Sequence, residues 1–277
     1  MKNILRQKTT IFALIIFGLF TCVWIYLRLI VEATYIQREI IGATYGIMAL
    51  YGGIVGLFVS KKWGGFKSYL GKAIIMLSLG LLAQEFGQIA YTVLGQLLPK
   101  GDIPYPSIGD IGYMGSVVLY IYGVWMLAKT AGIHISIKSL ASKIQVVLIP
   151  GLILSASYIA FLSHYQFDWS KPLVIFLDFG YPLGQSVYIA IAILVFTLSR
   201  RLLGGRMKPV IWFLIIALGV QYMADYMFLY THAKGTWKAA GLNDYTYFVA
   251  YFMMTLSLIA FNQIKIGNST KTEETNV

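Results

Sequence analysis

The chain has 277 residues, of which 58% are hydrophobic and only 12% are charged, a composition typical of a membrane domain and not of a soluble one. Its net charge of +11 comes from basic residues in short segments between apolar stretches, where they set membrane orientation and contact anionic lipid headgroups. Nucleic-acid binding is therefore not expected, and the single cysteine, Cys22, excludes an internal disulfide and a cysteine-based metal site.

Eight long apolar stretches divide the chain. Each is close to or above the ~20 residues that an α-helix needs to cross about 30 Å of hydrocarbon. Because lipid cannot satisfy free backbone polar groups, the sequence predicts an all-α, polytopic membrane protein with eight transmembrane helices. The stretches lie near residues 11–31, 40–59, 73–98, 108–128, 144–163, 172–198, 209–231 and 244–264. They form a predicted transmembrane domain over 11–264, between an N-terminal segment at 1–10 and a short, disordered tail at 265–277.

Basic residues alternate between the two sides of these stretches. Sixteen of the 22 fall on one side, among them Lys61, Lys62, Arg200 and Arg201, and five fall on the other. The positive-inside rule then predicts a multi-pass protein of the cytoplasmic (plasma) membrane with both termini in the cytoplasm. The first stretch is too long for a signal peptide and has no small-residue cleavage site, so we expect it to be retained.

A short motif, Asp followed three residues later by Tyr, occurs at the outer ends of the fourth, sixth and eighth stretches. The spacing places each pair on one helical face, where the Tyr hydroxyl can donate to the carboxylate. The motif predicts repeated outer hairpins in parallel, not inverted, orientation. For Asp110 and Asp244 the alternative is a helix cap, because Asp110 follows Ser107 with the spacing of a capping box. The pairs are Asp110 and Tyr113, Asp178 and Tyr181, and Asp244 and Tyr247.

Two further acids lie deeper in the stretches. Glu85 is near the middle of the third stretch, and Asp225 in the seventh shares helical turns with Tyr222 and Tyr226. An unpaired charge at the bilayer centre costs at least about 2.5–3.5 kcal/mol, so these acids are expected to face the bundle and find partners. For both, the alternative is an interhelical hydrogen bond that only holds the bundle together.

Side-chain patterns that would point to catalysis are absent from the sequence. Its three histidines lie in loops or at helix ends, and no His-Glu-x-x-His pair is present for zinc. There is no serine nucleophile elbow, no glycine-rich phosphate loop, and no lysine in the middle of the last stretches to carry retinal. We therefore expect no enzyme activity, no cofactor and no metal site.

The order of the polar motifs resembles the multi-span input modules found ahead of bacterial diguanylate cyclase and phosphodiesterase domains, over roughly residues 80–262. The resemblance implies a sensing or ligand-binding bundle. Those modules feed a cytoplasmic catalytic domain, whereas this chain ends shortly after its last apolar stretch, so we expect it to act through a separate signalling partner. The matching segments are Gln84 to Tyr91, Pro104-Tyr105-Pro106-Ser107 with Asp110 and Tyr113, Asp178 to Pro182, Ala224-Asp225-Tyr226, Gly235-Thr236-Trp237, and Asp244 with Ala250-Tyr251.

Together these patterns predict a receptor-like or ligand-binding membrane module with a pocket in the outer half of the bundle. A cationic or amphipathic small molecule is the expected ligand, because aromatic faces and carboxylates both attract cations. The alternatives are a small-molecule or proton-coupled transporter and a non-catalytic structural subunit; the apolar inner halves of the later stretches favour a one-sided pocket. The predicted ligand-binding residues are Glu85, Asp110, Tyr113, Asp178, Tyr181, Tyr222, Asp225, Tyr226, Asp244 and Tyr247.

Glycines at small-xxx-small spacing lie on the second stretch. Gly42 and Gly46 form one such pair, and Gly52 and Gly56 form another. Small residues at this spacing allow helices to approach closely, either within the chain or in a homodimer.

Overall fold

The computed structural model describes residues 7–30, 33–98, 103–130, 140–159, 167–202 and 207–263. Within these residues the chain forms nine α-helices and no β-strand. A π-helix at Tyr26–Ile30 continues the first helix, and single 3-10 turns lie at Gly65–Lys67 and Phe261–Gln263. The helices are α1 (Lys8–Ile25), α2 (Tyr35–Thr44), α3 (Ile47–Lys62), α4 (Tyr69–Leu97), α5 (Ile108–Thr130), α6 (Leu140–Ser157), α7 (Pro172–Leu202), α8 (Lys208–Ala233) and α9 (Leu242–Ala260).

The all-helical membrane architecture predicted from the sequence is confirmed at the level of six spans. Six helical segments in the described residues are long and apolar enough to cross a membrane: Lys8–Leu29, Tyr35–Lys62, Tyr69–Leu97, Ile108–Thr130, Pro172–Phe196 and Val210–Thr231. The fifth and eighth predicted stretches correspond to α6 and α9, which are not among the six. α9 packs against other helices along most of its length and carries polar residues among its apolar ones. The predicted disordered tail lies outside the described residues.

Six of the helices form a closed ring. α3 packs against α4, α4 against α5, α5 against α7, α7 against α8, and α8 against α9, which returns to α3. α1 packs against α9 and α3, and α6 packs against α7. Both α1 and α6 therefore lie outside the ring, α1 beside α3 and α9, and α6 beside α7.

α5 and α7 are neighbours in the ring and run in the same direction. The Tyr181 hydroxyl near the start of α7 donates to Asp110 Oδ1 at the start of α5, over 2.9 Å. Further along both helices, the rings of Tyr120 and Tyr188 meet edge to face with centroids 5.9 Å apart. The parallel contact arises because α6 carries the chain back across the bundle before α7 begins.

α9 and α3 also run in the same direction. A Cβ added to Gly52 would lie 2.1 Å from Thr255 Oγ1, and one turn later a Cβ added to Gly56 would lie 2.9 Å from Leu258 Cδ1. The ring is thus built from two three-helix units, α3–α4–α5 and α7–α8–α9, each alternating in direction. A half-turn about the central axis of the ring would therefore place each helix of one unit on a helix of the other unit that runs in the same direction.

Different side chains fill the two places where the three-helix units meet. Tyr45, at the junction of α2 and α3, stacks on Tyr251 of α9 with ring centroids 6.0 Å apart. Where α7 meets α5, Gly184 lies against Val117, and a Cβ added to Gly184 would lie 2.4 Å from Val117 Cγ1.

The observed repeat differs from the predicted series of hairpins. Asp110 and Asp244 are equivalent, because each is the third residue of a helix that closes a three-helix unit. Asp178 and Tyr181 lie instead in α7, which opens the second unit and is the counterpart of α2 and α3. The motifs at Asp110 and Asp244 therefore occupy equivalent positions in the two units. The motif at Asp178 does not, because α6 lies outside the ring and α7 begins the second unit.

Candidate functional site

A cavity of about 190 Å³ lies at the end of the ring where α4 and α8 end and α5, α7 and α9 begin. Its walls come from both halves of the chain and from the segments before α5 and α9. Four carboxylates line it, from Glu39, Asp110, Asp225 and Asp244. Nine aromatic side chains line it as well: Tyr35, Tyr45, Tyr91, Tyr105, Tyr113, Tyr181, Phe228, Trp237 and Tyr247.

Six of the ten predicted site residues lie in the wall of this cavity. The six are Asp110, Tyr113, Tyr181, Asp225, Asp244 and Tyr247. The other four, Glu85, Asp178, Tyr222 and Tyr226, are not among its lining residues. The cavity therefore brings together carboxylates from α5, α8 and α9 that are far apart in sequence.

Glu85 lies between α3 and α4, away from the cavity. Its carboxylate occupies the space that the missing side chain of Gly46 leaves, since a Cβ added there would lie 1.7 Å from Glu85 Oε2. This explains the glycine at position 46 as a packing requirement. Oε2 is buried and has no hydrogen-bond partner among the described residues.

The three other predicted residues outside the cavity make local contacts. The hydroxyl of Tyr105 donates to Asp178 Oδ1 over 2.7 Å and so ties the segment before α5 to α7. Tyr222 and Tyr226 pack edge to face on α8, with ring centroids 4.6 Å apart.

Asp225 is the centre of a hydrogen-bond network in the cavity wall. Tyr247 of α9 donates its hydroxyl to Asp225 Oδ1 over 2.6 Å. Gln185 of α7 donates to Oδ2, and Gln221, one turn earlier on α8, lies 3.4 Å from both carboxylate oxygens. One carboxylate thus joins all three helices of the second unit, as expected for an acid that faces the bundle.

Gln88 holds the equivalent position in the first unit. Tyr113 of α5 donates its hydroxyl to Gln88 Oε1 over 3.3 Å, and Gln88 Nε2 donates to the carbonyl of Gly42 over 2.7 Å. Below it, Gln84 Nε2 donates to Ser116 Oγ over 2.6 Å. These amides join α4 to α5 and, through the Gly42 carbonyl, to α2, whereas Asp225 joins all three helices of the second unit.

Asp110 and Asp244 both line the cavity, and Asp110 is also a helix cap. Asp110 Oδ2 accepts the backbone N–H of Ser107 over 2.7 Å, which confirms the predicted helix cap, while Oδ1 accepts the hydroxyl of Tyr181. Asp244 Oδ2 accepts the backbone N–H of Ala240 over 2.8 Å, and the residue is only 4% exposed. Ala240 precedes Gly241, the N-cap of α9, which has no side-chain cap hydrogen bond, so Asp244 ties the preceding segment to α9 and is not a cap.

None of the three tyrosines donates to the Asp of its own motif. Tyr113 donates to α4, Tyr181 to α5 and Tyr247 to α8. A phenol is long enough to reach past the neighbouring turn to the next helix, and it finds an acceptor there. The tyrosines therefore connect helices and do not neutralise acids locally.

Sequence reasoning left several cavity residues out of the site. Tyr91, Phe228 and Trp237 form a group of edge-to-face rings with centroids 6.3–6.5 Å apart. Glu39 and Tyr35 lie at the start of α2. The available signal was position. Tyr91 and Phe228 lie in the last two turns of apolar stretches, Tyr35 and Glu39 lie directly before the second stretch, and Trp237 follows α8. Aromatic residues at such places are common for amphipathic reasons.

The wall of the cavity differs between the two halves of the ring. The Tyr181 hydroxyl donates to Asp110, whereas Gly42, which has no side chain, faces Asp244, and its ideal Cβ position lies 3.4 Å from Asp244 Oδ2 and 3.1 Å from Ala239 Cβ. Gly42 is therefore packed against α9 and the segment before it.

Among the described residues, no group of three or more His, Cys, Asp or Glu side chains could hold a metal ion. Comparison of the chain with protein-family models, with curated proteins and with solved structures finds no match in any of the three.

Proposed function

We propose that this protein is a receptor-like membrane module that binds a small organic cation in the cavity and passes the binding event to a separate protein partner. The observation that carries the proposal is the composition of the cavity wall. It contains four carboxylates and nine aromatic side chains, and none of the described residues lining it is Lys, Arg or His.

Such a wall favours positively charged ligands for two physical reasons. Carboxylates in a water-poor site attract cations more strongly than they do in bulk water. Aromatic faces add roughly 0.5–2 kcal/mol for each well-placed cation, more when the cation is desolvated. A neutral or anionic molecule of the same shape would gain the contact area without the charge interactions.

The interior of the ring beyond the cavity supports binding over transport. Past Gln84 most of the packed side chains are apolar and fully buried, including Ile74, Leu77, Leu81 and Val124. The buried hydroxyls there, of Ser78, Thr255 and Ser257, donate to backbone carbonyls of the helices and so leave no continuous polar path. A transporter needs polar groups along its whole path, because an ion in an apolar interior is costly. A cavity with a closed apolar floor suits a binding module.

We further propose eight spans, with α6 and α9 completing the six, and both termini in the cytoplasm. Positively charged residues support this orientation, since Lys61, Lys62, Lys67, Lys72 and Lys129, all among the described residues, lie at the end of the ring opposite the cavity. The cavity then opens to the outside, where a ligand can reach it without crossing the membrane.

Cysteine labelling in intact cells tests this orientation. In a Cys22→Ser background, we expect a membrane-impermeant maleimide to label Ser170→Cys and to spare Phe66→Cys until the cells are permeabilised. Both positions are exposed, so accessibility depends only on the side of the membrane. Labelling of Phe66→Cys in intact cells would reverse the proposed orientation.

Thermal unfolding of the detergent-solubilised protein tests ligand binding. We expect benzylamine and benzyltrimethylammonium to raise the unfolding temperature, and benzyl alcohol and benzoate, of similar shape, to leave it unchanged. A ligand at about 100 times its Kd stabilises the folded state by roughly 2.7 kcal/mol. Asp244→Asn should weaken the shift, because the amide still accepts the Ala240 N–H but no longer carries a charge.

Asp168→Asn is the matched control. Asp168 is an exposed acid outside the membrane-spanning segments, and its Ser170 hydrogen bond lowers its pKa and keeps it ionised. Its replacement removes a charge of the same kind at a distance from the cavity, so the benzylamine shift should be retained. Equal shifts with benzylamine and benzyl alcohol, or no shift with any probe, would favour the structural-subunit alternative.

A further inference from the structure

The two halves of the ring place different residues at one equivalent position. Gln84 and Gln88 are four residues apart on α4, as Gln221 and Asp225 are on α8. Gln88 accepts the hydroxyl of Tyr113, and Asp225 accepts the hydroxyl of Tyr247 in the same arrangement. Position 88 therefore provides an internal comparison for position 225.

We infer that Asp225 is the residue that makes the cavity select cations. It does so through the negative charge of its carboxylate and not through its hydrogen bonds. This inference rests on the proposed function. It goes further by assigning the discrimination between charged and neutral ligands to one of the four carboxylates.

The comparison with Gln88 carries the first step. A neutral amide at that position accepts the tyrosine hydroxyl of the adjacent helix α5 and also donates to the Gly42 carbonyl of α2. The packing of a three-helix unit thus needs a hydrogen-bonding side chain here and does not need a charge. A carboxylate at the same place carries a desolvation cost that the amide avoids.

The surroundings of Asp225 are adapted to a side chain that only accepts hydrogen bonds. Gln185 and Gln221 both offer amide N–H groups to it, whereas Gln88 donates to a carbonyl. An amide at position 225 could keep the same neighbours, because the side chain of Gln185 can turn its oxygen towards the new donor. The hydrogen bonds therefore permit an amide at position 225.

The cavity wall places this charge close to a second carboxylate. Asp244 lines the cavity and precedes Tyr247 by one turn of α9. Tyr247 in turn donates its hydroxyl to Asp225, and all three residues line the cavity. A cation in the cavity therefore meets two carboxylates and the ring of Tyr247.

Variants that move the carboxylate from one three-helix unit to the other test the inference. Asp225→Asn removes the charge with little change of shape, and Gln88→Glu adds one at the equivalent position of the first unit. We expect Asp225→Asn to keep the unliganded unfolding temperature and to bind benzylamine roughly tenfold or more weakly in calorimetric titration. The double variant, which has the charge of the wild type on the other unit, should regain most of the lost affinity.

Each outcome bears on a different statement. Unchanged benzylamine affinity in Asp225→Asn would overturn the inference and leave the proposed function intact. A large drop in unliganded stability, with no rescue of binding in the double variant, would show that Asp225 acts through packing. Absence of benzylamine binding by the wild type would instead overturn the proposed function.

Discussion

Replacing Gly112 with alanine should destabilise the protein, whereas the same replacement at Gly115, one turn further along α5, should stabilise it. A Cβ at Gly112 would lie 2.5 Å from the Ala83 carbonyl oxygen and 2.6 Å from the Gly87 backbone nitrogen. Both are backbone atoms of α4, so no side chain can rotate away. A Cβ at Gly115 meets no atom within 4 Å.

The two replacements change the stability in opposite directions because helix propensity and steric overlap compete. Alanine favours a helix over glycine by about 0.5–1 kcal/mol, and both positions gain this amount. At Gly112 the overlap must be relieved by separating α4 from α5, and overpacking of this kind costs about 1–3 kcal/mol. α4 and α5 carry Gln88 and Tyr113, so the cavity wall should loosen together with the helix contact.

Thermal unfolding of the two variants beside the wild type, in one detergent, measures the difference. We expect a lower unfolding temperature for Gly112→Ala and an equal or higher one for Gly115→Ala. Gly112→Ala should also weaken the benzylamine shift, whereas Gly115→Ala should not. Similar stability of the two variants would mean that α4 and α5 are further apart than the structure places them.

Much of the cavity could be predicted from the sequence because its residues obey local rules. Ser107 and Asp110 have capping-box spacing, and the cap forms. Asp225 lies in an apolar helix, where the cost of an unpaired charge requires partners, and it has three. Spacing along one helix and the cost of burial are sufficient for such predictions.

The pairing of helices could not be predicted by the same reasoning. That Tyr181 reaches Asp110 depends on α7 lying beside α5, and this depends on α6 standing outside the ring. Glu85 shows the same limit, since its position against α3 depends on a glycine at position 46. The apolar residues of a membrane helix do not indicate which other helix it will pack against, because lipid tails and apolar side chains are equally apolar.

Filling the cavity beside Gly42 should abolish ligand binding. Gly42 lines the cavity, and its ideal Cβ position lies 3.1 Å from Ala239 Cβ and 3.4 Å from Asp244 Oδ2, so a side chain at this position meets α9 and the segment before it. Gly42→Phe would place a ring at this contact and displace the wall of the cavity next to Asp244.

We expect Gly42→Phe to lose the benzylamine-induced shift in unfolding temperature while it retains a folded, helical bundle. The ring would occupy the volume that the ligand needs, and no carboxylate would be removed. Gly42→Ala is the matched control: its single methyl group asks Ala239 to move by a few tenths of an ångström and leaves most of the cavity open, so binding should persist.

Titration calorimetry with benzylamine separates this steric effect from the electrostatic one at Asp225. Gly42→Phe should also exclude the larger benzyltrimethylammonium, whereas Asp225→Asn should weaken both cations and bring their affinities towards that of benzyl alcohol. If Gly42→Phe bound benzylamine as the wild type does, the ligand would have to lie elsewhere. The Asp225 effect would then reflect the field of the carboxylate at a distance and not contact within the cavity.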